Sequence, residues 1–304
     1  MSFLAATIAV RMILPFLTGD VEVHEWGVVR FDASGITAVG LPPGEYSSVG
    51  PVPFEYGTMP PLVDAPVIFF HGSGFTGDFV VEIPEGRATE IYPEEGMRTT
   101  GDSIIWQGIE VIDSPLVLDG DDRRGISDFV WENAVFLWRG VDAGMVRTGT
   151  GLEEGFLYYE CEMSPLSCFR YPGLLARGEG LPQGVDRILM FLKPDGDFQE
   201  MYMVDPLQVF TLLEVDEIGC YQRQRVIGVL REWAGYRLNP DEVEAMWSTW
   251  EEFVTSGEWM GDALIVFPLP DETVQRISTL TLITHQDHDV SYRRFFLGMA
   301  PVNW

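Results

Sequence analysis

His24-Glu25 sets an imidazole beside a carboxylate, a pair able to ligate a metal ion or move a proton. The surrounding VEVHEWGVVRF at 21–31 reads as a strand. Strand side chains alternate faces, so His24 and Glu25 serve one ion only if Gly27 marks a bulge that re-aims one of them. His24 shares its face with Trp26, while Glu25 falls with Val21, Val23, Val29 and Phe31. If that second face is core, Glu25 is buried and must be tied to Arg139 or to backbone amides, or shift its pKa upward. The tied carboxylate is the preferred reading. Asp64 and Glu90 are the acids that a site around His24 would recruit.

His285-Gln286-Asp287-His288-Asp289 packs two histidines and two carboxylates into five residues. His285, Asp287 and His288 offer N and O donors suited to zinc or another transition ion. A polar turn between two strands explains the same residues, since aspartate bonds readily to nearby backbone.

At His71-Gly72-Ser73-Gly74 an apolar run, Val67-Ile68-Phe69-Phe70, ends in a His-Gly turn like the oxyanion loop of α/β-hydrolases. That chemistry also needs a Gly-x-Ser-x-Gly elbow, and the chain contains none. It needs a helix after the loop as well. The chain instead continues as Phe79-Val80-Val81-Glu82-Ile83 and then Pro84, so the stretch reads as a β-hairpin.

The chain of 304 residues carries a net charge of −28 and one lysine, Lys193. Such a surface repels nucleic acid and anionic membrane, which excludes both as partners. Scattered acids without a calcium-loop pattern point to salt adaptation, because salt screens self-repulsion over roughly 10 Å at 0.1 M. Residues 1–19 are apolar and read as a signal-like segment, with export to the periplasm or the extracellular space. Cys161 and Cys168 flank six residues, a spacing compatible with a local disulfide in an oxidising compartment. Cys220 is read as a small buried side chain. Nine tryptophans and ten tyrosines on a β scaffold also suit stacking on sugar rings.

Residues 20–115 are expected to form an N-terminal β-sandwich and residues 129–304 a second β region with C-terminal helices; 34–61 reads as irregular and 116–128 as a boundary. Strands are expected at 104–112, 134–138, 156–160, 187–192, 198–204, 264–267, 280–284 and 294–299. One helix is expected over 218–233. A better-marked one starts after Asn239, with Pro240 in its first turn, Glu242 completing a capping box and Gly257 ending it. A short helix is expected after Asp271.

His24-Glu25-Trp26-Gly27 resembles the opening signature, His-Glu-Trp-Gly-Thr-Phe, of a family of uncharacterised bacterial proteins, many with export signals. The resemblance continues through Pro66-Val67-Ile68-Phe69-Phe70, Pro84-x-Gly86, Thr89-Glu90-Ile91-Tyr92-Pro93 and Trp138-Arg139-Gly140. It ends with Ala245-Met246, Trp250, Gly257 and Val266-Phe267-Pro268. Val28-Val29 replace the usual Thr-Phe, Asp64 replaces Glu, and the His71-Gly72 turn is not a hallmark. The resemblance implies an exported, mostly β protein and brings no activity with it.

The fold class expected is therefore α+β, mainly β: an antiparallel sandwich, then a second β region with two late helices. The leading function is a non-catalytic, envelope-associated binding or structural protein, with a glycan or another envelope protein as partner and no cofactor. The alternative is a metal-dependent hydrolase that holds a divalent metal ion.

Overall fold

The computed structural model describes residues 20–30, 62–94, 97–100, 102–114, 134–163, 185–193, 200–204, 218–257, 259 and 262–302. It is mainly β. Its strands are β1 (Val21–Arg30), β2 (Leu62–Gly72), β3 (Phe75–Glu82), β4 (Gly86–Tyr92), β5 (Met97–Thr100), β6 (Ser103–Ile112), β7 (Met145–Arg147) and β8 (Glu153–Glu154). They continue with β9 (Leu157–Met163), β10 (Ile188–Leu192), β11 (Glu200–Val204), β12 (Ile218–Cys220), β13 (Ala263–Pro268), β14 (Thr279–Thr284) and β15 (Val290–Val302). The helices are α1 (Val135–Arg139), α2 (Arg223–Ala234), α3 (Pro240–Ser256) and α4 (Asp271–Ile277).

Nine strands form a large sheet in the order β12-β11-β10-β13-β15-β1-β2-β9-β4, and β14-β3-β6-β7-β8, with β5 on β6, form a smaller one. Among the described residues every pairing is antiparallel except β1 with β15. One face of the large sheet packs on the small sheet through Val23, Phe70, Phe79, Trp106 and Phe296. The other face packs under α1, α2 and α3 through Trp26, Phe69, Trp138, Trp247 and Trp250. The large sheet is thus the middle of three layers. This explains why β1 is buried on both faces along almost its whole length.

Strands from 20–115 and from 129–304 alternate within both sheets: β1 lies between β15 and β2, and β14 pairs with β3. The glycine-rich stretch after Phe70 does not form the expected hairpin. β2 stays in the large sheet, while β3 enters the small one. Val67, Ile68, Phe69 and Phe70 are all fully buried and need two covered faces, whereas β3 alternates buried with half-buried positions and needs one. The chain therefore crosses between layers at Ser73. Phe70 then meets Phe75 and Phe79 edge-on inside the sandwich, with ring centroids 5.4 and 5.3 Å apart. Gly72 enables the crossing, with φ at +89° and room for no more than a hydrogen against the Asp20 carbonyl.

Three further expectations change. Residues 134–138 are helical, not a strand: a short apolar run has no period of its own, and α1 drops Trp138 onto Phe156 and Tyr158. The helix expected over 218–233 begins only at Arg223, behind β12. Cys220 closes that strand and is exposed, not buried. Helix α3 agrees with the sequence signals, with the capping box formed and Gly257 left-handed at its end.

The signal-like segment, the irregular stretch 34–61, the boundary 116–128 and Cys168 lie outside the described residues. No helix among the described residues is long and apolar enough to cross a membrane.

Candidate functional site

β1 and β2 pair so that Glu22 stands opposite His71 and His24 opposite Phe69. Opposite residues of an antiparallel pair share a face, so Glu22, His24 and His71 all point toward the helical layer. The first turn of α3 comes down on them. Its third residue, Glu242, turns back to cap the helix, and its Oε2 accepts the Asn239 N–H at 2.5 Å. The same carboxylate accepts from the two imidazoles. His24 Nδ1 lies 3.1 and 2.9 Å from its two oxygens, and His71 Nε2 lies 3.1 Å from Oε1. The two rings tilt against each other with centroids 4.3 Å apart.

Glu242 is fully buried, His24 is 1% exposed and the His71 side chain 14%, so His71 is the solvent side of the cluster. Burial alone would raise the Glu242 pKa. The hydrogen bonds from His24 and His71, and their charge, outweigh it and hold the carboxyl below its ordinary value. The other His24 nitrogen, Nε2, is buried without a hydrogen-bond partner, 3.4 Å from Glu22 Oε2. Glu22 is in turn gripped by Arg293, which neighbours His24 in register on β15.

One donor atom from each of His24, His71 and Glu242 lies within 4.8 Å of the others. Ligands bound at about 2.0–2.2 Å around a tetrahedral ion are a little over 3 Å apart. The two Glu242 contacts are already close to that spacing, and the two imidazole donors lie within 4.8 Å of each other. Two histidines and a glutamate form a known catalytic zinc set and also suit other divalent transition ions. The outer contacts fit as well. A metal-bound imidazole commonly donates its second N–H to a carboxylate, and Glu22 stands at that position.

His24 is thus placed in a cluster, but not with the partners expected from the sequence. Glu25 points to the other face, where Arg294 and Tyr159 bind it and Ser278 joins both, so its buried carboxylate is tied to Arg294 and not to Arg139. Gly27 does not re-aim either residue. The β1–β2 irregularity does fall at Gly27, between Trp26 and Val28, but His24 and Glu25 lie before it in regular register and stay on opposite faces. Trp26 packs edge-on against Trp138 in the helix-side core. Arg139 binds Glu154 at 2.7 Å, together with the Tyr92 hydroxyl. Glu90 lies on β4 opposite Glu160, separated from β1 by β9 and β2. Burial pushes Glu160 up to about 7, its hydrogen bond from Tyr158 opposes that rise, and Glu90 adds to it.

Asp64 sits opposite Val28 on β2, and its side chain lies outside the described residues. His285 and Asp287 are exposed and His288 half-buried in the turn before β15. That turn is stitched to β3 by His285 N–H to Thr76 O and by Thr76 N–H to Gln286 Oε1. Among the described residues no metal-type donor group forms there.

Neither His71 nor Glu242 is marked as a metal ligand in the sequence, where His71 reads as part of a turn with a likeness to an oxyanion loop and Glu242 as a helix cap. Both readings hold locally, and nothing in the spacing reveals that fold and register bring the two to His24. Comparison of the chain with protein-family models, curated proteins and solved structures finds no match.

Proposed function

We propose that the protein binds a divalent transition-metal ion through His24, His71 and Glu242 and uses it in hydrolysis. The observation that carries this is the convergence of two imidazoles on one buried carboxylate, with Glu22 and Asn239 holding the outer contacts. When bound, such an ion acts as a Lewis acid and lowers the pKa of a coordinated water toward 7. Glu242 and the two imidazoles would supply three ligands, and His71 is the member of the set that reaches solvent. Glu22, fixed by Arg293, stands 3.4 Å from His24 Nε2, where it would orient the ring of a metal-bound His24.

We favour this over a non-catalytic sugar platform built on tryptophan. Of the described tryptophans, Trp26, Trp106, Trp138, Trp247, Trp250 and Trp259 are buried, and Trp233 is half-buried against the helix-side core. The acidic, lysine-poor composition supports an exported, salt-adapted setting for the activity.

Purified protein stripped with EDTA, then dialysed against zinc, manganese or nickel, should take up about one ion per chain and gain thermal stability. The His71→Ala and Glu242→Gln variants should lose both. Wild-type protein with no stoichiometric uptake of any of these ions, or His71→Ala protein with undiminished uptake, would remove the proposal.

A further inference from the structure

A pocket of about 200 Å³ lies where the loop between α2 and α3 and the helix α4 meet the first residues of β15, the strand that pairs with the His24 strand β1. Its walls include Tyr236 and Arg237, in the loop just before the Asn239 cap, and Tyr292, Arg293 and Arg294 on β15. Arg293 joins the two places: it lines the pocket, neighbours His24 in register and grips Glu22. It is fixed from the other side by the Tyr236 carbonyl at 3.0 Å. In a chain with 47 acidic and 19 basic residues, this pocket gathers three arginines around a single acid, Asp271. Arg293 and Arg294 are already engaged with Glu22 and Glu25. Arg237 meets Asp271 only at 3.4 Å, and both are partly exposed, so its guanidinium is the one best able to turn to an incoming anion.

The pocket also holds two of the few large exposed rings among the described residues. Tyr236 is 80% exposed and Tyr292 38%. The Arg293 guanidinium lies 5.9 Å from the centre of the Tyr236 ring. Tyr292 is immobilised, since its hydroxyl oxygen accepts the Leu282 N–H at 2.7 Å. Gln275 and Asp271 complete the lining with groups suited to hydroxyls. Tyrosine faces for a pyranose ring, arginine for a carboxylate or phosphate and amide or carboxylate for hydroxyls form one coherent recognition set.

We propose that this pocket receives an acidic sugar, a ring bearing a carboxylate or phosphate, as the substrate class presented to the His24 site. The assignment rests on the metal-site reading for its catalytic meaning, but binding at the pocket does not need the ion. The test measures glucuronate, glucose 6-phosphate, glucose and inorganic phosphate by saturation-transfer NMR and calorimetry at low ionic strength. It uses the whole chain, both zinc-loaded and EDTA-stripped.

Both acidic sugars should bind in both forms, with glucose and phosphate alone much weaker. Arg237→Ala should weaken the acidic sugars about tenfold or more, the loss of one charge-assisted contact. Tyr236→Ala should weaken them about threefold or more through lost stacking. Metal uptake should stay intact in both variants. No signal from either acidic sugar on wild-type protein, affinity unchanged in Arg237→Ala, or phosphate alone matching the sugars would each overturn the assignment. A failure of the metal reading shows separately, as absent uptake, and leaves the sugar measurements readable.

Discussion

Glu242 lies 2.9 Å from His24 Nδ1 although 218 residues separate them in the chain, and the same Oε2 atom accepts the Asn239 N–H. A helix cap and a site ligand are therefore one side chain. The cap fixes the carboxylate before any imidazole arrives, because a capping box holds its third residue folded back over the helix start. Docking α3 on the sheet then places a pre-oriented acceptor over β1.

Glu242→Gln keeps the cap, since glutamine serves in capping boxes, but removes the charge that both imidazoles share. The cost should be about 1.5–3 kcal/mol near neutral pH, the range for hydrogen bonds to a charged group. The sign of the shift sets the pH dependence. Glu242 is held below its ordinary value in the folded protein, so its contribution is present above the unfolded value of 4.5. It is lost as pH falls through the folded value. Urea titrations of metal-free wild type and variant should thus differ clearly at about pH 6, and the gap should narrow as pH falls below the unfolded value. A gap that does not narrow would mean that the carboxylate is not charged in the fold.

Glu160 is expected to behave in the opposite sense. Its pKa is raised from 4.5 to about 7, so the folded state holds the proton more tightly than the unfolded chain does. Stability should fall as pH rises between those two values and level off above. Glu160→Gln removes the buried charge and keeps an acceptor for Tyr158, so it should stabilise the protein at about pH 8 by up to about 3 kcal/mol. At about pH 4 it should change little. A variant that destabilises at pH 8 would show that the carboxylate is well solvated there.

How much of the chain is legible depends on how far each determinant reaches. The α3 caps lie within a few residues of the helix they start and stop, so Asn239, Glu242 and Gly257 are legible as caps. The alternation of β1 is legible too, and it correctly parts His24 from Glu25. The sheet assignment of β2 and β3 is not, because a tight glycine turn serves a hairpin and a crossing between layers equally well. Only the burial demand of Val67 to Phe70 separates the two, and that demand depends on helices that begin 65 or more residues further along. The site suffers in the same way: His24 is marked by its neighbours, whereas His71 and Glu242 become partners only through register and docking.

Arg294 and Glu25 offer a test of the second buried network. Glu25 is fully buried and the Arg294 side chain is 12% exposed, with Arg294 also donating to the Ser278 carbonyl at 2.7 Å. Arg294→Met strands a buried carboxylate and should cost about 3–5 kcal/mol. Replacing both residues with methionine should cost less than Arg294→Met alone, because the unpaired charge goes with its partner. A double variant at least as unstable as the single would show that packing of the guanidinium, and not charge, dominates the pair.

Gly72 couples the fold to the site most directly, since it comes straight after His71 and turns the chain from one sheet to the other. A methyl group there would come 2.1 Å from the Asp20 carbonyl oxygen, a backbone atom, and φ is +89°. Gly72→Ala should therefore cost at least about 2 kcal/mol, combining strain at an unfavourable φ with a displaced strand end. Gly228 in α2 is the control: a methyl group there meets nothing within 4 Å. Gly228→Ala should be neutral or stabilise by up to about 1 kcal/mol, as expected for glycine in a helix. Because the Gly72 strain falls next to His71, zinc affinity should drop in Gly72→Ala even under conditions where that variant stays folded, and should be unchanged in Gly228→Ala. Equal zinc affinity in both variants would show that the crossing does not position the imidazole.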